Sequence, residues 1–441
     1  MGETLNIQAK VRAAGIIGAG GAGFPTHVKL GAKADIFLVN GAECEPLLKV
    51  DQQLAERYAR LLVRGLQLGM EATGAKEGII ALKAKYGAAI AALTPLLHDS
   101  MRIHILRDVY PAGDEVITIW MATGRRVPPA ALPLDVGVVV NNVQTLINVA
   151  RAVDEDAPVT TRTITVTGAV HHPITVTVPV GVSFGELLEL AGGATIADAA
   201  YINGGPMMGK PLTNLSSPVT KTSGGLLVLP SSHCIITRQR QPRQAQLRVA
   251  KTVCEQCCLC TELCPRHLVG HELPPHLIVR SVNYNHIGNP AVLLSALTCS
   301  ECGICEAWSC PVGISPRRIN LMLKAEFRPQ GARYQGALRE ADPMAPHRMV
   351  PVSRLVSRLN LDEYNRKAPL DETPYRPGRV SLSLRQHIGA PSVPVVQAGD
   401  VVEVGQLVAE IPEGALGARV HASIRGKVES VDSAAVHLSA V

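Results

Sequence analysis

Nine of the chain's 11 cysteines fall between Cys254 and Cys310, and that block constrains the fold more than any other feature of the sequence. The first run reads Cys254-x2-Cys257-x2-Cys260-x3-Cys264-Pro265, and the second reads Cys299-x2-Cys302-x2-Cys305-x4-Cys310-Pro311. A two-residue spacer lets the backbone wrap one corner of a [4Fe–4S] cubane after another. The fourth cysteine, held before a proline, turns away to ligate the other cluster. By that rule Cys254, Cys257, Cys260 and Cys310 hold one cluster, and Cys299, Cys302, Cys305 and Cys264 hold the second. The second run carries one extra residue before its last cysteine (Glu306-Ala307-Trp308-Ser309), which predicts a local bulge. Structural zinc would show two ligand pairs separated by a long gap rather than two dense runs each ending in Cys-Pro. Cys258 is off the ligand register, and Cys44 and Cys234 read as ordinary buried thiols.

At 441 residues the chain is too long for one hydrophobic core, so several domains are expected. Aromatic residues are only 3% of the chain, which leaves the cores to Ala, Val, Leu and Ile. A net charge of +6 argues weakly for an acidic partner or an anionic cofactor. No dense basic run is joined to stacking aromatics, so a nucleic-acid partner is not expected. Met1 to Lys10 is polar and lacks a secretory h-region. No stretch approaches the roughly 18 consecutive apolar residues of a membrane span. A cytoplasmic protein without a direct membrane span is therefore expected. The longest apolar stretches, Val136 to Val140 and Gly225 to Pro230, read as strands.

The second signal is a glycine-rich loop. Gly18, Gly20, Gly21 and Gly23 precede Phe24-Pro25-Thr26, and Lys29 follows. Such a loop lets backbone N–H groups approach a phosphate without Cβ clashes, though a tight turn with no ligand has the same composition. The segment before it, residues 4–14, reads as a short helix rather than the strand a dinucleotide fingerprint requires.

Three further stretches stand in order behind the loop. They are Asn40-Gly41-Ala42-Glu43-Cys44-Glu45-Pro46, Tyr110-Pro111-Ala112-Gly113-Asp114-Glu115 and Asn141-Asn142-Val143-Gln144-Thr145-Leu146. Together with Gly18 to Lys29 they resemble the flavin site of the NADH-oxidising flavoprotein subunit of respiratory complex I, and more closely the C subunit of the Rnf complex. The resemblance implies FMN as cofactor and NADH as electron donor. It implies that Gly18, Gly20, Gly21, Gly23 and Lys29 face the FMN phosphate. Asn40, Glu43, Tyr110, Gly113 and Asn142 would line the flavin, and Phe24, Glu45 and Glu115 would contact the nicotinamide nucleotide. The chain departs from the complex I pattern at Ala19 (Arg there), Ala42 (Asp there) and Asp114 (Glu there). The first departure removes a possible phosphate contact and the second a hydrogen bond to the flavin.

The character then changes. Thr163 to Val170 and Ile174 to Val180 alternate as a β-hairpin turned at His171-His172-Pro173, and Ser183 with Glu186 forms a capping box for a helix. This stretch, with Tyr201 to Gly209, resembles the β-grasp (SLBB) module of the same family. Arg238 to Arg248 reads as a solvated connector. Residues 325–378 read as an extended linker with a short helix near Val352 to Leu359. The C-terminal strands resemble the barrel-sandwich fold of lipoyl and biotinyl carriers. Lys427 lacks the tight hairpin tip those carriers use, so no lipoylation or biotinylation is expected there.

The fold class expected is therefore multidomain, α/β plus all-β. An FMN/NADH-binding α/β domain spans 1–157 and an SLBB-type β-grasp domain 158–232. A linker (233–249) leads to a ferredoxin-like domain with two [4Fe–4S] clusters (250–324). A second linker (325–378) leads to a barrel-sandwich domain (379–441). In the Rnf C subunit the barrel-sandwich module precedes the flavin loop, whereas here it comes last. That order resembles the cobalamin reductases of bacterial propanediol-utilisation microcompartments. The resemblance implies a corrinoid acceptor, a cobalamin adenosyltransferase and shell proteins as partners, and residence inside a microcompartment. Two other readings fit the same motifs: a component of an Rnf-type membrane complex, or a polyferredoxin-like relay whose flavin site is vestigial.

Overall fold

The computed structural model describes residues 2–284 and 288–441. Four strands, β1 (Ile36–Gly41), β2 (Glu77–Lys83), β3 (Met101–Leu106) and, after a short β4 (Val109–Tyr110), β5 (Val138–Asn142), build the first domain. β1, β2, β3 and β5 form one parallel sheet in the order β3-β2-β1-β5. β1 reads Ile-Phe-Leu-Val-Asn-Gly and is buried along nearly its whole length, as a parallel strand covered on both faces must be. The helices Ala59–Thr73 and Val143–Asp154 cover one face together with the N-terminal helix Gly2–Ala13. The helix Glu115–Thr123 covers the other, where Leu268 and Val269 of the cysteine-rich region join the same core. The chain leaves β1 toward β2 on one side, while β5 lies on the other. The crevice beyond the carboxyl ends of β1 and β5 is thus a topological switch point.

The second domain holds β6 (Thr161–Gly168), β7 (Ile174–Pro179), β8 (Ala199–Asn203), β9 (Lys210–Leu212) and β10 (Gly225–Pro230). β6 and β7 pair antiparallel around the His171-His172 turn. The capping box forms as the sequence predicts: Glu186 N–H donates to Ser183 Oγ at 3.2 Å, and Ser183 N–H donates to Glu186 Oε2 at 3.0 Å.

Two expectations are corrected. Residues 233–249 are not a connector but carry two helices, Cys234–Arg240 and Arg243–Val253. The sequence hides them because few side chains turn inward; in the second only Gln246 and Ala250 are buried. The Arg318 guanidinium donates to the carbonyls of Arg238, Gln239 and Gln241, closing the end of the first helix. Residues 325–378 are likewise not a loose linker. β11 (Val350–Pro351) pairs with β4 of the first domain, and β12 (Leu370–Asp371) extends the sheet of the second beside β7. The segment is a strap that fastens two domains, with the expected helix at Val352–Arg358 between its strands.

The C-terminal domain is a sandwich of two small sheets. One is β13 (Arg379–Ser383), β15 (Val401–Val402), β18 (Gly426–Val431) and β19 (Ala435–Ala440), in the order β13-β19-β18-β15. The other is β14 (Val393–Pro394), β16 (Leu407–Glu410) and β17 (Val420–His421), in the order β14-β16-β17. Its core is continuous with that of the second domain.

Candidate functional site

The glycine loop lies at the switch point. Asn40 and Asn142 are register partners at the ends of β1 and β5, and a Cβ on Gly20 would stand 3.6 Å from that of Asn142. The loop is pinned at its base, where Gly18 N–H donates to the Phe24 carbonyl at 2.9 Å and Gly23 N–H to the Gly18 carbonyl at 3.3 Å. Gly21 adopts φ +106°, which an L side chain would resist. The tip residues Gly20, Gly21 and Ala22 include exposed backbone, and no protein acceptor among the described residues meets their amides. Pro25 precedes the short helix Thr26–Leu30 rather than opening its first turn. Asn142 caps the helix Val143–Asp154 through its side-chain oxygen, which accepts from Gln144 N–H at 2.9 Å. A phosphate would find backbone donors and a helix N-terminus here.

The other expected flavin residues divide. Asn40 Nδ2 donates to the Gly113 carbonyl at 2.9 Å, and a Cβ on Gly113 would stand 3.0 Å from Cys44 Sγ, so glycine is needed for the close approach. Glu43 turns its carboxylate to the amide of Asp51 at 3.0 Å, at the start of the helix Val50–Arg57. Burial raises its pKa, while the Asp51 and Gln52 amides oppose the shift.

Five of the expected site residues are tied to other parts of the protein. Lys29 Nζ is bound to Glu115 at 3.1 Å and to the Val140 carbonyl at 2.9 Å, so its charge and that of Glu115 are spent on each other. Glu45 accepts from the amides of Met207 and Met208, both at 2.9 Å, and fastens the Gly205-Pro206-Met207-Met208 loop of the second domain. Burial pushes its carboxyl up to about 7 against those two amides and Arg317. Asp114 caps the helix Glu115–Thr123 and pairs with Arg266 at 2.9 Å. Tyr110 is buried, and its hydroxyl donates to the Cys302 carbonyl at 2.7 Å. These last two contacts reach the cysteine-rich domain, so the Tyr-Pro-Ala-Gly-Asp-Glu segment joins the flavin crevice to the cysteines. Phe24 is half-buried beside the loop.

The structure gathers cysteine side chains into two groups. Cys260 has Cys257, Cys310 and Cys254 around it; burial first, and then these thiols, push its own thiol up to about 12. Cys305 is raised by burial and then by Cys299, Cys302 and Cys264 among its neighbours. Cys264, Cys299, Cys302 and Cys305 line one cavity together. The extra residue of the second run is absorbed as a single π-helical turn, Cys305–Ser309, with the Ser309 hydroxyl donating to the Ile304 carbonyl at 3.2 Å. Among the described residues no three His, Cys, Asp or Glu side chains converge to grip a single ion. Thiols spread over the corners of a cubane are spaced more widely than the ligands of one zinc ion.

The cavity also carries an orphan. Asn320 is 1% exposed, lines the same wall as the four cysteines, and has no partner among the described residues for either its Nδ2 or its Oδ1. A buried amide without partners calls for a missing one, and cluster sulfur is an acceptor for its N–H. The residues present therefore fit a cubane. The two sets differ in exposure. Cys264, Cys302 and Cys305 are buried and Cys299 half-buried, whereas Cys257 is exposed, Cys254 and Cys260 are half-buried and Cys310 is buried. Cys258 adopts a left-handed backbone. Arg266, Arg317, Asn320 and Arg162 carry no local motif, and sequence reasoning did not find them.

Comparison with known proteins assigns the modules in the same order. Residues 11–151 match the Nuo51 FMN-binding domain, 163–211 the SLBB domain, 253–315 the 4Fe-4S dicluster domain, and 361–440 the RnfC barrel sandwich hybrid domain. The chain is 63% identical to cobalamin reductase PduS of Salmonella typhimurium over 98% of its own length and 95% of that protein's. It is 62% identical to cobalamin reductase PduS of Citrobacter freundii over 97% and 95%. The C subunit of the Na(+)-translocating ferredoxin:NAD(+) oxidoreductase complex of Acetobacterium woodii is 37% identical over 59% of this chain and 58% of that one. With the FMN-binding and 4Fe-4S dicluster modules and the near-complete alignment in agreement, this chain belongs to the PduS cobalamin reductase family.

Proposed function

We propose that this chain is an NADH-dependent cobalamin reductase, carrying electrons from NADH by way of FMN and two [4Fe–4S] clusters to cob(II)alamin. The observation that carries the reading is the buried hydrogen bond from Tyr110 to the Cys302 carbonyl, which ties the flavin crevice to one thiol set. Bound FMN supplies the conversion of a two-electron donation into single-electron steps.

The chain's residues do the holding and the ordering. The free amides of Gly20, Gly21 and Ala22 and the helix N-terminus after Asn142 would hold the phosphate. Asn40 and Asn142 stand side by side at the ends of β1 and β5, where Asn40 fixes the Gly113 carbonyl and Asn142 caps the helix beneath the loop. Cys264, Cys299, Cys302 and Cys305 would ligate the inner cluster, and Cys254, Cys257, Cys260 and Cys310 the outer. The difference in burial gives the route a direction, with the donor side at the flavin crevice and the acceptor side near exposed Cys257. The Asp114–Arg266 pair, both partners largely buried, fixes the inner set against the flavin domain. Residues 1–157 would form the FMN- and NADH-binding unit and residues 250–324 the two-cluster unit.

The same reading extends to partners and place. A corrinoid is the acceptor, a cobalamin adenosyltransferase consumes the reduced product, and the protein works in the cytoplasm within a microcompartment shell. No helix among the described residues is long and apolar enough to cross a membrane. The test is anaerobic reduction of cob(II)alamin by NADH with purified, cluster-loaded protein. Formation of cob(I)alamin supports the reading; NADH oxidation with no corrinoid reduction refutes the choice of acceptor.

A further inference from the structure

We infer that Arg162, which comes from the second domain rather than from the flavin-binding domain, is the cation that binds the FMN phosphate. The inference rests on the reading that the crevice under the glycine loop holds FMN. Arg162 sits near the start of β6 and is 5% exposed. Its Nη2 donates to the Ala19 carbonyl at 2.8 Å, and its Nε donates to the Ser223 carbonyl at 2.7 Å. Its Nη1 is buried and has no partner among the described residues. That nitrogen belongs to the same guanidinium that already touches the glycine loop at position 19. A buried guanidinium N–H without an acceptor is costly, and charged donors in native proteins are nearly always matched.

The surrounding charges leave the role open to Arg162. Lys29 is engaged by Glu115 and the Val140 carbonyl. Lys221, another buried cation near the loop, spends its ammonium on the carbonyls of Gly15 and Arg419. Asp51 is the acid whose charge acts on Arg162, but its carboxylate accepts from Asn142 Nδ2 at 2.8 Å, and among the described residues no ion pair joins it to the guanidinium. Burial lowers the guanidinium's own pKa only to about 10, so Arg162 stays charged. A buried cation with a free N–H, beside exposed backbone amides and a helix N-terminus, matches the chemistry of a phosphate monoester dianion. The arrangement also gives the second domain a part in cofactor binding, because β6 carries the charge that position 19 of the loop lacks.

The test compares FMN with riboflavin, which lacks the phosphate. Flavin-depleted, cluster-loaded protein is titrated with each, following quenching of flavin fluorescence, for wild type, Arg162→Met and Arg162→Lys. Losing one charged hydrogen bond to phosphate predicts a roughly tenfold to hundredfold weaker FMN affinity in Arg162→Met, with riboflavin affinity unchanged. Arg162→Lys should restore part of the FMN affinity. Equal weakening for both flavins would overturn the assignment and leave Arg162 as a brace for the loop. Unchanged FMN affinity would overturn it as well. If Arg162→Met does not fold, Arg162→Lys alone decides, since a phosphate contact predicts selective loss for FMN and a brace does not. Wild-type protein that binds neither flavin would overturn the flavin reading and this assignment together.

Discussion

Replacing Glu45 by glutamine should change how the protein's stability responds to pH, and the size of the change follows from where Glu45 lies. Its half-buried carboxylate lies where two domains meet, bound by the amides of Met207 and Met208. Burial raises its pKa from an ordinary 4.5 to about 7. An acid whose folded pKa is raised binds its proton more tightly when folded. Its contribution is therefore fully present below the unfolded value and is lost as pH rises through the folded one. A shift of that size corresponds to about 3 kcal/mol. A glutamine side chain cannot ionise, so the Glu45→Gln variant lacks this dependence. The assay is denaturant unfolding of both proteins between about pH 4 and about pH 8, limited to the transition in which the second domain separates from the first. The expected result is that the difference between them moves by about 3 kcal/mol in the variant's favour across that range. A difference that stays flat would refute the argument that burial controls this carboxyl.

Three further outcomes follow from the site. Tyr110→Phe removes the hydroxyl that donates to the Cys302 carbonyl and leaves that buried oxygen unsatisfied, so it should cost about 1–3 kcal/mol, read by urea titration, and should alter the EPR signal of one cluster only. Asn320→Leu removes the orphaned amide from the inner cavity; if it donates to cluster sulfur, about 1 kcal/mol of lost stabilisation lowers one cluster's potential by roughly 40 mV in a redox titration. Cys257→Ser should halve the iron content, whereas Cys258→Ser should leave it unchanged, because only the first lies in a ligand set.

The parts of this protein that could be read from sequence are those whose chemistry is local. The cysteine block announces a 4Fe-4S dicluster domain because a cubane imposes its geometry on residues a few positions apart. The Ser183–Glu186 box, the β6–β7 hairpin and the apolar run of β10 were readable for the same reason. What stayed hidden depends on partners far along the chain. Tyr110 meets Cys302 across 192 positions, and Arg266 meets Asp114 across 152. Nothing near Tyr110 distinguishes a side chain that lines a flavin from one that turns to a second domain. Lys29 likewise has a partner its local sequence does not announce, Glu115, 86 positions along the chain. The helix Arg243–Val253 stayed hidden because its apolar face, Leu247, Ala250 and Val253, is short and set among Arg, Gln and Lys residues.

The most direct test of electron transfer through this chain is an anaerobic titration of the flavin- and cluster-loaded protein with NADH, followed by absorbance and EPR and completed by adding cob(II)alamin. Bleaching of the flavin, appearance of a reduced-cluster signal, and its loss with formation of cob(I)alamin is the predicted sequence. Clusters that dithionite reduces but NADH does not, with no bleaching of flavin, would contradict it and leave a one-electron relay fed by another protein.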